Sequence, residues 1–311
     1  MAASLAQRLW RRVRWFASGE AARPVAAFDW ISGRVGSRQN PDGMRAVIQA
    51  SIALLAGTAL LDLACLWRHA WAHWELFALI HLAWMGGFMV ATALNVGFLE
   101  TPQGVPLRRL GGPNVLTLAR AAAVPLLVYL LAVGDHALAF VGYGLASATD
   151  VLDGWWARRA GRQSKLGIVL DPVVDLLLHL GVIGTLGLIG LLGRVALAMI
   201  LLRSALLVFG TLLLYLWKGC VRIQPTPWGK GTGLVITLAT LMLLGLAAWA
   251  PGAERVIAAL RALCDAVLVL AVLHVVAIGL VNLGRPPVTR EPGAGGWGDA
   301  GRRPDAGEGA R

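Results

Sequence analysis

The chain has 311 residues, of which 57% are hydrophobic and only 14% charged. That charged fraction is about half the usual value for a soluble domain, and with a mean hydropathy of +0.67 it excludes a soluble globular protein. Lys and Arg number 28 against 17 Asp and Glu, for a net charge of +11. The cysteines Cys65, Cys220 and Cys264 show no CxxC and no metal-ligand spacing, which excludes a disulfide framework and a zinc site.

The chain opens on a basic segment, residues 1–45. Within it Leu5, Leu9, Val13 and Phe16 recur at helical spacing with Arg8, Arg11, Arg12 and Arg14 between them. The pattern fits an interfacial amphipathic helix, although an Arg-rich stretch with no acid before Glu20 also fits an organellar transit peptide. Eight apolar runs follow, over 46–66, 76–99, 115–134, 137–157, 166–192, 195–217, 234–250 and 256–283. Each approaches the roughly 20 residues that cross about 30 Å of hydrocarbon as a helix. No strand is required. The sequence therefore predicts an all-α polytopic membrane protein, divided into the basic segment, a transmembrane hairpin and linker over 46–112, a six-helix membrane domain over 113–284, and a tail over 285–311. The tail is Gly, Pro and charge without periodicity, a disordered composition.

An even number of spans places both termini on one side, and 22 of the 28 basic residues fall there, including Arg158, Arg159, Arg162, Lys165 and Lys230. The positive-inside rule makes that side cytoplasmic. Orientation thus accounts for the basic charge, and nucleic-acid binding is not expected.

Four carboxylates interrupt the apolar pattern. Asp150 and Asp153 close the fourth run, and Asp171 and Asp175 open the fifth. An isolated charge deep in a membrane costs about 2.5 to 3.5 kcal/mol. The spacings i, i+3 and i, i+4 put each pair on one helix face, and the short basic loop between the runs lets both faces converge. Clustered carboxylates with no lysine among them call for cations, and hard oxygen ligands select Mg²⁺, Mn²⁺ or Ca²⁺. Two divalent ions would balance the charge and suit phosphoryl chemistry. A cation or proton transporter is the competing reading of intramembrane acids, but these acids occupy one hairpin rather than a route between two faces. Two other motifs fail on spacing: 229–232 is not a phosphate-binding Walker loop, and 150–154 is not an EF-hand.

Written out, the segment is Asp150-x2-Asp153-Gly154-x2-Ala157-Arg158-x8-Gly167-x3-Asp171-x3-Asp175. It resembles the signature of the CDP-alcohol phosphatidyltransferase family at all eight fixed positions. Pro113-Asn114-x2-Thr117-x2-Arg120 looks like that family's first core helix, and Gly229-Lys230-x-Thr232 like the opening of its fifth. The resemblance covers roughly residues 113–283 and implies a six-helix membrane core. It also implies transfer of a phosphatidyl group from CDP-diacylglycerol to a small alcohol acceptor, with release of CMP and two Mg²⁺ or Mn²⁺ ions. Carried over by position, Asp150, Asp153, Asp171 and Asp175 would hold the metals, and Asp175 would also serve as general base. Asn114, Thr117, Arg120, Gly154, Ala157, Arg158 and Gly167 would surround the cytidine diphosphate. The family further implies a homodimer.

Within the family, the segments 149–154 and 170–172 are most similar to the bacterial phosphatidylglycerophosphate and cardiolipin synthase branch. Arg162, Lys165, Arg203 and Lys230, with Arg222, suit an anionic acceptor, with glycerol 3-phosphate favoured over an inositol phosphate or phosphatidylglycerol. Leu176 and Ser204 depart from that branch, where Lys and an acid are common. The expected setting is a bacterial inner membrane, with the site facing the cytoplasm. In the additional hairpin, His69, His73, Glu75 and His81 include a His-x3-His pair. No convergent third ligand is evident, so the hairpin is assigned to packing or a partner contact. His179, one turn beyond Asp175, is expected to hydrogen-bond across helices rather than tune the base.

Overall fold

Gly, Pro and capping side chains punctuate the apolar runs, and the helices stop where they fall. The computed structural model describes residues 40–69, 74–101, 105–160, 164–213 and 227–284, excluding the side chains of 65–69, 151, 153–160, 227, 230, 282 and 284. The amphipathic segment and the tail read from the sequence lie outside the described residues. Helix α1 is Pro41–His69, and the Asn40 side chain accepts from the Gly43 amide at 2.8 Å to cap it. Helix α2 is Trp74–Leu94, followed by a 3₁₀ turn, Val96–Phe98.

Helix α3, Gly112–Ala132, starts after Gly111 at φ +76° with a proline in its first turn, the asymmetry expected at a helix start. Gly134 at φ +83° and Asp135, whose carboxylate accepts from the Leu138 amide, turn the chain directly into α4, His136–Ala160. Helix α5, Lys165–Leu188, is capped by Ser164 and ends before Gly190 at φ +78°. Helix α6, Arg194–Ala205, runs into a π-helical turn, Leu206–Gly210. Helices α7, Pro227–Trp249, and α8, Glu254–Gly284, complete the described chain. The one β pairing among the described residues is an isolated antiparallel bridge between Glu100 and Pro106.

Seven of these helices are long and apolar enough to cross a membrane. Helix α4 is the eighth, with the side chains of 151 and 153–160 outside the described residues. At 25 residues and a rise of about 1.5 Å each, α4 still has the length to span. The chain is an integral membrane protein, and large aliphatic side chains such as Leu79, Leu188, Leu238 and Leu280 point outward, as lipid permits and water does not.

Helices α3 to α8 close a ring in which α3 lies between α4 and α5, α4 meets α7, α7 meets α8, and α8 meets α6, which returns to α5. Leu127, Tyr143, Val182, Ile200, Leu243 and Leu268, one from each helix, are buried together in its core. The hairpin α1–α2 lies outside this ring against α3. A second cluster, including Val47, Leu99, Leu118 and Leu166, ties α1 and the interhelical linker to α3 and α5.

Small residues set the closest helix approaches. A methyl group at Gly187 would sit 2.8 Å from Leu197 Cβ and 3.4 Å from its Cα, so α5 and α6 meet there at backbone contact; at Gly184 it would meet nothing within 4 Å. Gly187→Val is expected to lower the thermal unfolding midpoint in detergent through an overpacking penalty of about 1 to 3 kcal/mol. Gly184→Ala should leave that midpoint in place, and differential scanning fluorimetry distinguishes the two.

Candidate active site at the mouth of the α4–α5 hairpin

The segment 113–120 presents Pro113, Asn114, Thr117 and Arg120 at helical spacing, so α3 directs three polar side chains along one stripe. Each meets the α4–α5 hairpin. Asn114 accepts from the Ser164 hydroxyl at 3.0 Å and donates to the Leu110 carbonyl. Ser164 also accepts from the Gly167 amide at 3.0 Å. Gly167 fits beneath them because it lacks a side chain: a methyl group there would lie 2.6 Å from Asn114 Oδ1. One turn along, the Thr117 hydroxyl donates to Asp171 Oδ1 at 2.6 Å.

Arg120 lies at the centre. Its side chain is only 1% exposed, and Nη1 forms a short ion pair with Asp150 and lies 3.4 Å from Asp175 Oδ1, while Nη2 is 3.9 Å from Asp171 Oδ1. The three carboxylates are 40–45% exposed. Arg120 therefore compensates them from below, and their other edges open at the mouth of the hairpin. With all three ionised, one guanidinium leaves a negative balance on the open side. That balance, and the all-oxygen donor set, fit a hard divalent cation entering from the mouth. As they stand, no three His, Cys, Asp or Glu groups among the described residues are close enough to hold a metal. The carboxylates instead converge on the guanidinium.

The structure thus brings together Asn114, Thr117, Arg120, Gly167, Asp150, Asp171 and Asp175. The side chains of Asp153, Gly154, Ala157, Arg158 and Lys230, and the whole of Arg162, lie outside the described residues. Lys165 pairs with Glu100, with Nζ 2.6 Å from Glu100 Oε1 and its amide donating to the Glu100 carbonyl at 2.9 Å. Arg203 stands in the last turn of α6. His179 donates from Nδ1 to the Asp175 carbonyl at 2.8 Å, with Nε2 facing the Thr237 hydroxyl of α7 at 3.4 Å. Its ring therefore links helices and does not meet the carboxylate of Asp175 through these bonds.

Sequence reasoning missed Ser164 and Glu100. Ser164 carried a legible signal, a capping residue immediately before an apolar run. Glu100 carried none, since its partner lies 65 residues away.

Removing the guanidinium leaves three half-exposed carboxylates without their shared partner. Arg120→Gln is expected to destabilise the protein, by less than the loss of one partner from a fully buried ion pair, because solvent screens the carboxylates that remain. A lowered unfolding midpoint in detergent, partly restored in Arg120→Lys, is the measurement.

The sequence model of the CDP-alcohol phosphatidyltransferase family matches residues 111–277, more than half of the chain. Cardiolipin synthase (CMP-forming) of Homo sapiens is 42% identical over 67 residues, covering 21% of this chain and 22% of that protein. Cardiolipin synthase (CMP-forming) of Oryza sativa is 43% identical over 94 residues, 29% of each. A CDP-diacylglycerol--glycerol-3-phosphate 3-phosphatidyltransferase of Aquifex aeolicus is 26% identical over 131 residues, covering 42% of this chain and 72% of that protein. The chain spans about a fifth of the length of the animal cardiolipin synthases it matches. No solved structure matches it. The matched region runs from the start of α3 into α8 and contains every residue of the carboxylate cluster: the chain belongs to the CDP-alcohol phosphatidyltransferase family.

Proposed function

We propose that this protein transfers a phosphatidyl group from CDP-diacylglycerol to an alcohol, releasing CMP. The observation that carries the reading is the convergence of Asp150, Asp171 and Asp175, half open, on one buried arginine inside the region that defines the family. A transporter of cations or protons finds no support in that membership.

The reaction forms a bond between the acceptor oxygen and the phosphorus that carries the diacylglycerol, and breaks the bond from that phosphorus to CMP. Asp175 takes the proton from the attacking hydroxyl; its carboxylate is exposed at the mouth, where an acceptor would reach it. Asp150, Asp153 and Asp171, with Asp175 at the margin, would hold two Mg²⁺ or Mn²⁺ ions. When bound, these supply Lewis-acid stabilisation of charge on the diphosphate. Thr117 orients Asp171 through its 2.6 Å hydrogen bond. Arg120 holds three carboxylates at fixed separation, so the site is arranged before substrate arrives. Asn114 and Ser164 secure the start of α5. The basic loop around Arg158 and Arg162 would draw a polyanionic nucleotide to the opening.

Glycerol 3-phosphate is the favoured acceptor, in keeping with the name of the Aquifex aeolicus relative. Phosphatidylglycerol and an inositol phosphate are the alternatives. The favoured setting is a bacterial inner membrane with the mouth on the cytoplasmic side, where the excess of Lys and Arg places it.

Purified protein in liposomes with CDP-diacylglycerol and Mg²⁺ or Mn²⁺ is expected to release CMP only when the acceptor is added, and a panel of the three acceptors names it. Asp175→Asn should lower kcat by about 10²- to 10⁴-fold, the range for loss of a general base. Chelation should abolish turnover, with recovery on re-addition of the metal. Release in the absence of any acceptor, or undiminished release by Asp175→Asn, would overturn the assignment.

A further inference from the structure

The additional hairpin meets the bundle through α2. Phe77, His81 and Trp84 follow at i, i+4 and i+7 and share one face. Phe77 stacks on Tyr129 of α3 with ring centroids 4.3 Å apart. His81 Nε2 lies 2.9 Å from the Ala122 carbonyl oxygen, and Trp84 Nε1 donates to the Ala121 carbonyl oxygen at 2.8 Å. The register is antiparallel and ends on two successive peptide groups of α3.

The first of them stands at a gap in the helix backbone. The carbonyl of Ala121 would ordinarily accept from the amide four residues on, but that residue is Pro125, which has no N–H and whose ring crowds the same carbonyl. Inside a bilayer no water replaces the missing donor. The Trp84 indole supplies it. At the next residue the donor is His81: a carbonyl only accepts, so Nε2 carries the hydrogen. Nδ1 then faces Asp62 Oδ2 of α1 at 2.8 Å. His81 is 2% exposed, so this donor stays in place.

Arg120 immediately precedes these peptides, and Thr117 lies one turn before it. We infer that Trp84 and His81 are positioning residues for the reaction: Trp84 supplies the donor that Pro125 withholds from Ala121, His81 anchors the adjacent peptide, and together they fix Arg120 against Asp150, Asp171 and Asp175. The role of the hairpin is then set by a proline in the catalytic domain. This inference rests on the activity proposed above.

The test is a double-mutant cycle on the full chain, because Pro125→Ala restores the N–H that Trp84 replaces. Acceptor-dependent CMP release and the thermal unfolding midpoint are measured for wild type, Trp84→Phe, Pro125→Ala and the double variant. Trp84→Phe is expected to lower kcat per folded enzyme about tenfold, the scale of leaving one buried acceptor unsatisfied, with KM for CDP-diacylglycerol little changed. The double variant should recover to within about threefold of Pro125→Ala, since its helix satisfies Ala121 by itself. His81→Gln, which keeps an N–H, should retain more activity than His81→Leu, and this pair decides the matter if Pro125→Ala does not fold. A purely structural hairpin would lower the midpoint and leave kcat per folded enzyme unchanged, which overturns the proposal. So would losses that multiply in the cycle without recovery, or equal kcat for the two His81 variants. Should wild type release no CMP with any acceptor, the functional assignment fails separately; the same cycle read in the unfolding midpoint then decides whether Trp84 completes the Pro125 backbone, and no coupling there overturns that as well.

Discussion

Everything in this molecule is arranged around the burial of one guanidinium among carboxylates in a bilayer. Neither sign of charge is stable there alone: an unpaired acid or arginine in lipid costs several kcal/mol, and the desolvation of each is repaid only when partners are held at hydrogen-bonding distance. Arg120 is nearly inaccessible, while Asp150, Asp171 and Asp175 are roughly half open. That asymmetry separates the two ends of the cluster. Its inner end is locked by a side chain that is always charged. Its outer end leaves the three carboxylates 40–45% exposed.

Holding such a cluster requires three helices in register, and the residues that achieve this are small or singly hydroxylated. Gly167 lets Asn114 come within contact of the α5 backbone, Ser164 caps α5 and grips Asn114, and Thr117 orients Asp171. The apolar core beneath, with Leu127, Tyr143, Val182 and Leu243 buried together, keeps α3, α4, α5 and α7 from sliding. The core supplies rigidity. The polar stripe supplies alignment.

Much of this was legible in the sequence because membrane folding amplifies two signals. Apolar length gave the helices, although α1 starts at Pro41 rather than near residue 46 and α4 is less apolar than its neighbours. Acids inside apolar runs gave the site, since Asp150, Asp171 and Asp175 had to converge on some cation. What remained hidden was which cation lay within their reach. Arg120 was readable as a motif residue on α3, and its side chain points into the acid cluster. The pairing of Lys165 with Glu100 was equally hidden. Pairings across tens of residues depend on helix packing, and no local pattern encodes them. The match of Trp84 to the carbonyl left by Pro125 is of the same kind.

The bond between Trp84 and Ala121 also has a temporal side. Chains emerge from synthesis N-terminus first, so α2 is made before α3. When α3 enters the bilayer with its backbone interrupted at Pro125, the indole that satisfies the exposed carbonyl already belongs to the preceding hairpin. The first helix of the ring thus has a docking partner ready at the point where it is least able to stand alone in lipid, and assembly of the ring can begin from that pair.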